Sequence, residues 1–195
     1  MPSTITLAQS EKHEAILAAT CELIADRGLH NIPMSAIAKK AKMAAGTLYL
    51  YFENKDVLIN ELFLYLKRES YNFIVQRVET EQPFDEWLKK MWFASARRHL
   101  DFPQAFNVIQ QCELSGILSP ETLQQQEEIE TPLYHKFQHA IEEGVIKNIP
   151  RQIVYALFMG PITILAHLQA KGEIEVTEEI LRQTYEQLKA SIKAK

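Results

Sequence analysis

Glycine is scarce in this chain, six among 195 residues. Loops that cradle phosphate need glycines clustered at a turn, and the sequence holds no P-loop, no nucleophile elbow and no glycine-rich turn after a strand. Cysteine is scarcer. Cys21 and Cys112 lie far apart and form no paired Cys motif, and the opening MPSTITLAQSEKHE is polar, without the apolar run or cleavage site of a secretory segment. These features describe a cytoplasmic protein with reduced thiols. Long apolar runs are missing too. The longest uncharged stretch, from Gln152 to Ala170, falls short of the roughly 20 apolar residues a spanning helix needs and is interrupted by Gly160 and Pro161. It reads as a buried helix of a soluble domain. With no catalytic constellation in view, the chain does not read as an enzyme.

Alternating apolar and polar segments are also absent, so no sheet is expected and the fold class is all-α. Helical periodicity places a first helix from Gln9 to Arg27, burying Ile16, Leu17, Thr20, Leu23 and Ile24, with Gly28 at its left-handed end. A short second helix follows Pro33, with Met34, Ile37, Ala38 and Ala41 on one face. Asn54 is placed to cap a long helix from Lys55 to Glu79, and Pro83 opens another to Leu100. Further helices span Pro103 to Ser115, Ser119 to Glu143, Arg151 to Lys171 and Thr177 to Lys193. With the segment 44–52 the count is nine.

Charge is divided along the chain. The formal net charge is -4, yet between His30 and Lys55 four lysines (39, 40, 42 and 55) face the single acid Glu53. Residues 56–195 carry 15 basic and 20 acidic side chains, so a small basic segment precedes an acidic body, and the expected domains are a DNA-binding head, residues 1–54, and a ligand-binding and dimerisation body, residues 55–195. Inside that head the run MAAGTLYLYFENK crowds three rings, Tyr49, Tyr51 and Phe52, into a segment too short to be an independent core helix. If residues 44–52 are helical, a step of about 100° per residue groups Ala45, Leu48, Tyr49 and Phe52 on one face and Gly46, Thr47, Leu50 and Tyr51 on the other. The first face is expected to pack on the two preceding helices as a three-helix unit. The second is left bare, and an exposed leucine and tyrosine among lysines suit a helix laid in the major groove of DNA. Lys55, in the first turn of a helix, opposes the helix dipole unless an anion such as a phosphate sits there.

From residue 12 to 62 the segments ILAATCELIADRGL, MSAIAKKAK and GTLYLYFENKDVL resemble the N-terminal helix-turn-helix of TetR/AcrR-family transcriptional regulators. The match is specific at Gly46, Thr47, Leu48 and Tyr49, with Tyr51, Phe52, Lys55 and Leu58 in register. The resemblance implies a homodimer that binds a palindromic operator through two heads, and a larger body holding a small-molecule pocket and the dimer interface. By position, Thr47, Leu50 and Tyr51 would face bases or sugars, Tyr49 and Lys55 would hold phosphates, and Lys42, Ala45 and Gly46 complete the contact set. Three departures stand out: Lys42 where a glycine often supplies positive φ, Ala44 in place of a serine cap, and Ala45 in place of a polar reader. No residue from 43 to 52 can make a bidentate arginine–guanine or amide–adenine contact.

In the body, Trp87, Met91 and Trp92, then Phe106, Ile109 and Cys112, recur at helical spacing. They read either as core or as the lining of a ligand pocket between helices, joined by Phe137 and by Phe158 and Met159 beside a kink at Gly160–Pro161. Two apolar rows, Ile153, Leu157, Ile164 and Leu168, then Leu181, Thr184 and Leu188, are expected to form a four-helix seam with a second subunit. His135 and His139 stand one turn apart, a spacing able to hold a metal, but no third ligand is identifiable. They read as a solvated face, and neither metal nor cofactor is expected. The function implied is a repressor released from its operator by a hydrophobic or amphipathic effector. Rival readings are a DNA-binding protein of the same fold without a small-molecule ligand, and a helical enzyme.

Overall fold

The computed structural model describes residues 7–79 and 81–194, with side chains from residue 11 onward. Among the described residues there are nine α-helices: α1 (Leu7–Arg27), α2 (Met34–Lys40), α3 (Ala45–Leu48), α4 (Lys55–Val75), α5 (Phe84–Asp101), α6 (Pro103–Ser115), α7 (Pro120–Glu142), α8 (Arg151–Ala170) and α9 (Glu178–Ile192). A 3-10 turn, Leu29–Asn31, joins α1 to α2. The all-α class and the helix count agree with the sequence.

The termini show why these segments fold where they do. At α4 the Asn54 Oδ1 accepts the Val57 N–H at 3.0 Å, at α7 the Ser119 Oγ accepts the Thr122 N–H at 3.2 Å, and at α9 the Thr177 Oγ1 accepts the Ile180 N–H at 3.4 Å. The Glu121 carboxyl in the first turn of α7 is held below the usual carboxylate range by its own backbone N–H and by Ser119. α4 stops at Val75, four residues before the expected Glu79, because the chain tightens there into turns that bond Arg77 N to Ile74 O and Val78 N to Val75 O. α8 runs unbroken through Pro161, although that proline has no N–H to give the Leu157 carbonyl.

The chain divides into two compact units. Unit 1 holds Met1–Lys67 and Gln104–Gln126; unit 2 holds Arg68–Pro103 and Glu127–Lys195. In unit 1, α1 and α2 pack against each other and α2 packs on α3, with Ile16, Leu17, Ile24, Ile37, Leu48 and Phe52 fully buried. Thr20, also buried, satisfies its hydroxyl by donating to the Ile16 carbonyl at 2.7 Å. Cys112 of α6 is buried and its thiol is pushed up to about 12, first by burial and then by Glu113, so it stays protonated.

In unit 2 the helices α5, α8 and α9 pack together around Trp87, Met91, Trp92, Phe158, Leu181 and Tyr185. The Trp92 Nε1 donates to the Phe158 carbonyl at 3.2 Å, which satisfies the one polar atom of a fully buried indole. Arg151, at the dipole-opposed start of α8, is held by the Glu127 carboxylate at 3.2 Å and lies over the Tyr134 ring at 3.3 Å. The Tyr134 hydroxyl, pushed up to about 12 by burial and by Glu130, donates to that glutamate at 2.8 Å. α8 is not the buried helix expected from its composition. Val154, Phe158, Ile162 and Ala166 face inward, whereas Ile153, Tyr155 and Ile164 stay exposed.

Candidate nucleic-acid interface

The turn between α2 and α3 is built by a C-terminal motif that normally uses glycine. The Met43 N–H bonds the Ala38 carbonyl at 3.0 Å and the Lys42 N–H bonds the Lys39 carbonyl at 3.2 Å, the paired pattern of a Schellman cap. Lys42 occupies the left-handed position with φ 56°, a conformation that costs a non-glycine residue roughly 1–2 kcal/mol. In exchange it presents an exposed ammonium at the mouth of the turn. Ala44 sits at the N-cap of α3 with φ -69° and ψ 145° and gives no side-chain hydrogen bond, as its methyl group dictates.

α3 is shorter than the nine-residue helix expected. It ends at Leu48, and the chain then tightens: Leu50 N bonds Thr47 O at 3.1 Å and Tyr51 N bonds Leu48 O at 3.0 Å, both three residues back, before Phe52 N also bonds Leu48 O at 3.0 Å. Overwinding rotates the side chains away from their positions on a regular helix. Ala45 and Tyr49, expected on the buried face, are exposed, Tyr49 by 54%. Tyr51, expected on the open face, is half-buried, its ring centroid 6.5 Å from that of His13. Leu50 is the most open of the set at 84%, and Phe52 is sealed at 1%.

Gly46 and Thr47 complete this surface, and a Cβ placed on Gly46 would meet nothing within 4 Å. The fold therefore does not require glycine there, and alanine is the better helix former by about 1 kcal/mol. Gly46→Ala is expected to raise the melting midpoint slightly while weakening DNA binding, because the added methyl group blocks close approach of a duplex to the backbone. Equal affinity of the variant and the parent would place Gly46 outside the contact set.

Lysines surround the turn. Lys39 and Lys42 are exposed, and Lys40 pairs with Glu22 at 2.6 Å. Lys55 is half-buried and its Nζ donates to the His30 carbonyl at 3.4 Å, which ties the start of α4 to the 3-10 turn and leaves two of its three N–H donors. His13 is a participant that sequence patterning does not single out. Its ring stacks on Phe52 with centroids 5.2 Å apart, and its Nε2 lies 2.6 Å from Glu61 of α4. The available signal is that residue 13 extends the stripe of Ile16, Leu17 and Ile24 by one turn.

Among the body residues expected to line a pocket, Trp87, Met91, Trp92, Phe137, Phe158 and Met159 come together in one cluster of unit 2, with Phe137 edge-on to Trp87 at 5.4 Å and to Phe158 at 6.1 Å. Phe106, Ile109 and Cys112 belong to unit 1. Of the seam residues, Ile153 and Ile164 are exposed and Leu168 and Thr184 half-buried. Leu157 and Leu188 line an open groove of about 760 Å³ between α8 and α9, together with Pro161, Arg182, Thr184 and Gln187. Leu181 and Leu188, expected in the seam, are both buried in the core of unit 2, at 1% and 4%, because α9 turns that side inward, and only the edge of Leu188 reaches the groove. His139 pairs with Glu143 at 3.1 Å, and among the described residues no three His, Cys, Asp or Glu side chains converge.

Comparison with known proteins places this geometry. Residues 16–62 match the model of bacterial regulatory proteins of the tetR family, and residues 83–193 match that of a tetracyclin repressor-like C-terminal domain. The chain belongs to the TetR family. Within that family it is 31% identical over 142 residues to the HTH-type transcriptional regulator YvdT of Bacillus subtilis, covering 71% of this chain and 70% of that one. It is 35% identical over 85 residues to an HTH-type regulator of Haemophilus influenzae, a match spanning 44% of this chain and a little under half, 46%, of that relative's length. A solved TetR family regulator from Marinobacter aquaeolei shares the fold at a TM-score of 0.91, with 23% identity, covering 96% of this chain and 98% of that one. The TetR-family chain is thus a DNA-binding transcriptional regulator and not an enzyme, and α3 with its following turn is the second helix of its helix-turn-helix.

Proposed function

We propose that the protein is a repressor that binds a palindromic operator as a homodimer and is released by a small hydrophobic or amphipathic effector. The observation that carries the DNA-reading part is Leu50, 84% exposed on a turn whose neighbours Leu48 and Phe52 are sealed, in a head where Lys39 and Lys42 of the preceding helix and turn are also exposed. Leu50 meets thymine methyls and the sugar edge, Thr47 and Tyr51 flank it, and Tyr49 and Lys55 hold phosphates. A head of this size offers few base contacts, so specificity requires two heads, one per subunit. The protein acts in the cytoplasm, where its DNA target lies.

The open apolar stripe of α8 supports the dimer. Ile153, Leu157, Ile164 and Leu168 fall within about 60° of one another around the helix axis, centred about 130° from the core-facing row of Val154, Phe158, Ile162 and Ala166, so the apolar surface of α8 is wider than its core contact. The aromatic cluster around Trp87 and Phe137 supports an effector site in unit 2, lined by flat and flexible apolar groups. Effector binding favours a spacing of the two heads unlike the 34–36 Å repeat of the major groove, and a coupling of about 1–3 kcal/mol makes a usable switch.

The test is selection of duplexes from a random-sequence library, followed by release with a panel of acyl and aromatic amphiphiles read through tryptophan fluorescence. A symmetric consensus and at least one releasing compound are expected; an asymmetric single site removes the operator model. A second reading, regulation without a small molecule, is favoured by the near-complete burial of Trp87, Met91 and Trp92. Intact DNA binding with no compound shifting the melting midpoint would establish it.

Lys55 gives a quantitative check of the phosphate contacts. Lys55→Ala is expected to reduce the slope of log affinity against log salt by about one unit per head. An unchanged slope would restrict Lys55 to its bond with the 3-10 turn.

A further inference from the structure

The junction between α1 and α2 has a defect in its local chemistry. α1 closes at Gly28, whose φ of 80° and ψ of 155° suit glycine and whose lack of a side chain leaves it unable to cap the 3-10 turn. The first N–H of that turn, belonging to Leu29, would be orphaned at a buried residue. Its partner comes from 82 positions away: the Oε1 of Gln111, on α6, accepts it at 2.9 Å. The same amide donates through Nε2 to Asn107 Oδ1, one turn back on α6, at 2.5 Å, and reaches the Ile24 carbonyl at the end of α1 at 3.5 Å. With two donors and an acceptor engaged, the orientation of the amide is fixed.

We propose that Gln111 is a positioning residue for DNA binding, a remote cap through which α6 sets the 3-10 turn and, through it, the helix-turn-helix. The path is short. Leu29 and Ile32 of this segment are buried, Pro33 then opens α2, and the His30 carbonyl takes the Lys55 ammonium beside the reading turn. α6 is itself anchored within unit 1. Asn60 of α4 accepts the Ser119 N–H at 2.8 Å and donates to the Ile117 carbonyl at 3.1 Å, and Lys67 pairs with Glu113 at 3.7 Å. Removing the cap lets the 3-10 turn sample other positions, and apparent affinity falls with the fraction of heads that remain competent.

The test compares the full-length protein with Gln111→Met, which keeps length and loses the acceptor, and Gln111→Glu, which keeps an acceptor for Leu29. The readouts are affinity for a duplex selected by the parent protein, the salt slope, and amide hydrogen exchange. Gln111→Met is expected to bind about fivefold more weakly with an unaltered salt slope, since an orphaned N–H loosens the turn and no phosphate contact is lost. Its Leu29 amide exchanges faster while the amides of Ile16 to Ile24 keep their protection, and Gln111→Glu stays within about twofold of the parent. Parental affinity in Gln111→Met, equal losses in both variants, or faster exchange throughout α1 would each overturn the assignment, the last by showing that the amide only holds the unit together.

Discussion

Phe52→Ala is expected to cost about 3–5 kcal/mol of stability and to abolish DNA binding with it. Leu50→Ala, two residues away, is expected to leave the melting curve within about 0.5 kcal/mol of the parent and to weaken DNA binding alone. The contrast follows from position. Phe52 is 1% exposed, stacks on His13 of α1 and closes the turn through its N–H on the Leu48 carbonyl, so truncation opens a cavity beside that ring. Against a typical stability of about 5–15 kcal/mol for a folded domain, that loss is large enough to melt the head near assay temperatures. Leu50, 84% exposed, has no packing to lose. A groove contact with a thymine methyl accounts for about 1 kcal/mol, so roughly a fivefold loss is expected at a site rich in A·T pairs. Thermal melts by circular dichroism and fluorescence anisotropy on a labelled duplex separate the two effects. A Leu50→Ala variant that unfolds, or one that binds every duplex as the parent does, would contradict the assignment of faces.

Ile164→Glu is the second large effect. On α8 this side chain is 57% exposed and lies on the stripe begun by Ile153, itself 48% exposed, and continued by Leu157 and Leu168. At a two-fold interface a glutamate on this stripe meets its own counterpart or an apolar partner, and either costs several kcal/mol for a desolvated charge. The variant is expected to run as a monomer in sedimentation at micromolar concentration and to bind DNA about 10²–10⁴-fold more weakly, because the second head no longer binds as part of the same molecule. Trp92, bonded to the Phe158 carbonyl inside unit 2, serves as an internal control, since its emission is expected to stay unchanged. A dimeric Ile164→Glu that retains full affinity would move the interface to another surface.

The helices whose ends depend on local chemistry are readable from the sequence. α6 starts and ends at the expected Pro103 and Ser115, and α7 follows its Ser119 cap, because a proline, a serine and a glycine act within a few residues of themselves. The left-handed Lys42 is expected only through the resemblance to TetR/AcrR-family helix-turn-helices, in which a glycine often holds that position. The reading segment departs from expectation after Leu48. Tightened winding between the sealed Leu48 and Phe52 sets which of the intervening side chains are covered, so Tyr49 and Tyr51 exchange environments, and no local pattern marks where that tightening begins. Composition marks α8 as apolar without saying how its apolar side chains divide between core and surface, and periodicity in α9 does not reveal that Leu181 faces inward. His13 and Gln111 are invisible for a different reason. Their partners lie tens of residues away, and no local pattern distinguishes an amide that caps a distant turn from one that faces water.

The most direct test of a paired reading of DNA is a hydroxyl-radical and methylation footprint of the protein on a duplex it selects, with subunit stoichiometry measured on the same complex. Two subunits per duplex are expected, protecting two major-groove patches about 34–36 Å, or a multiple of that spacing, apart. In Leu50→Ala, protection is expected to weaken at thymines within both patches. One protected patch with one subunit, or protection confined to the minor groove, would contradict recognition of two half-sites through the bare turn after α3.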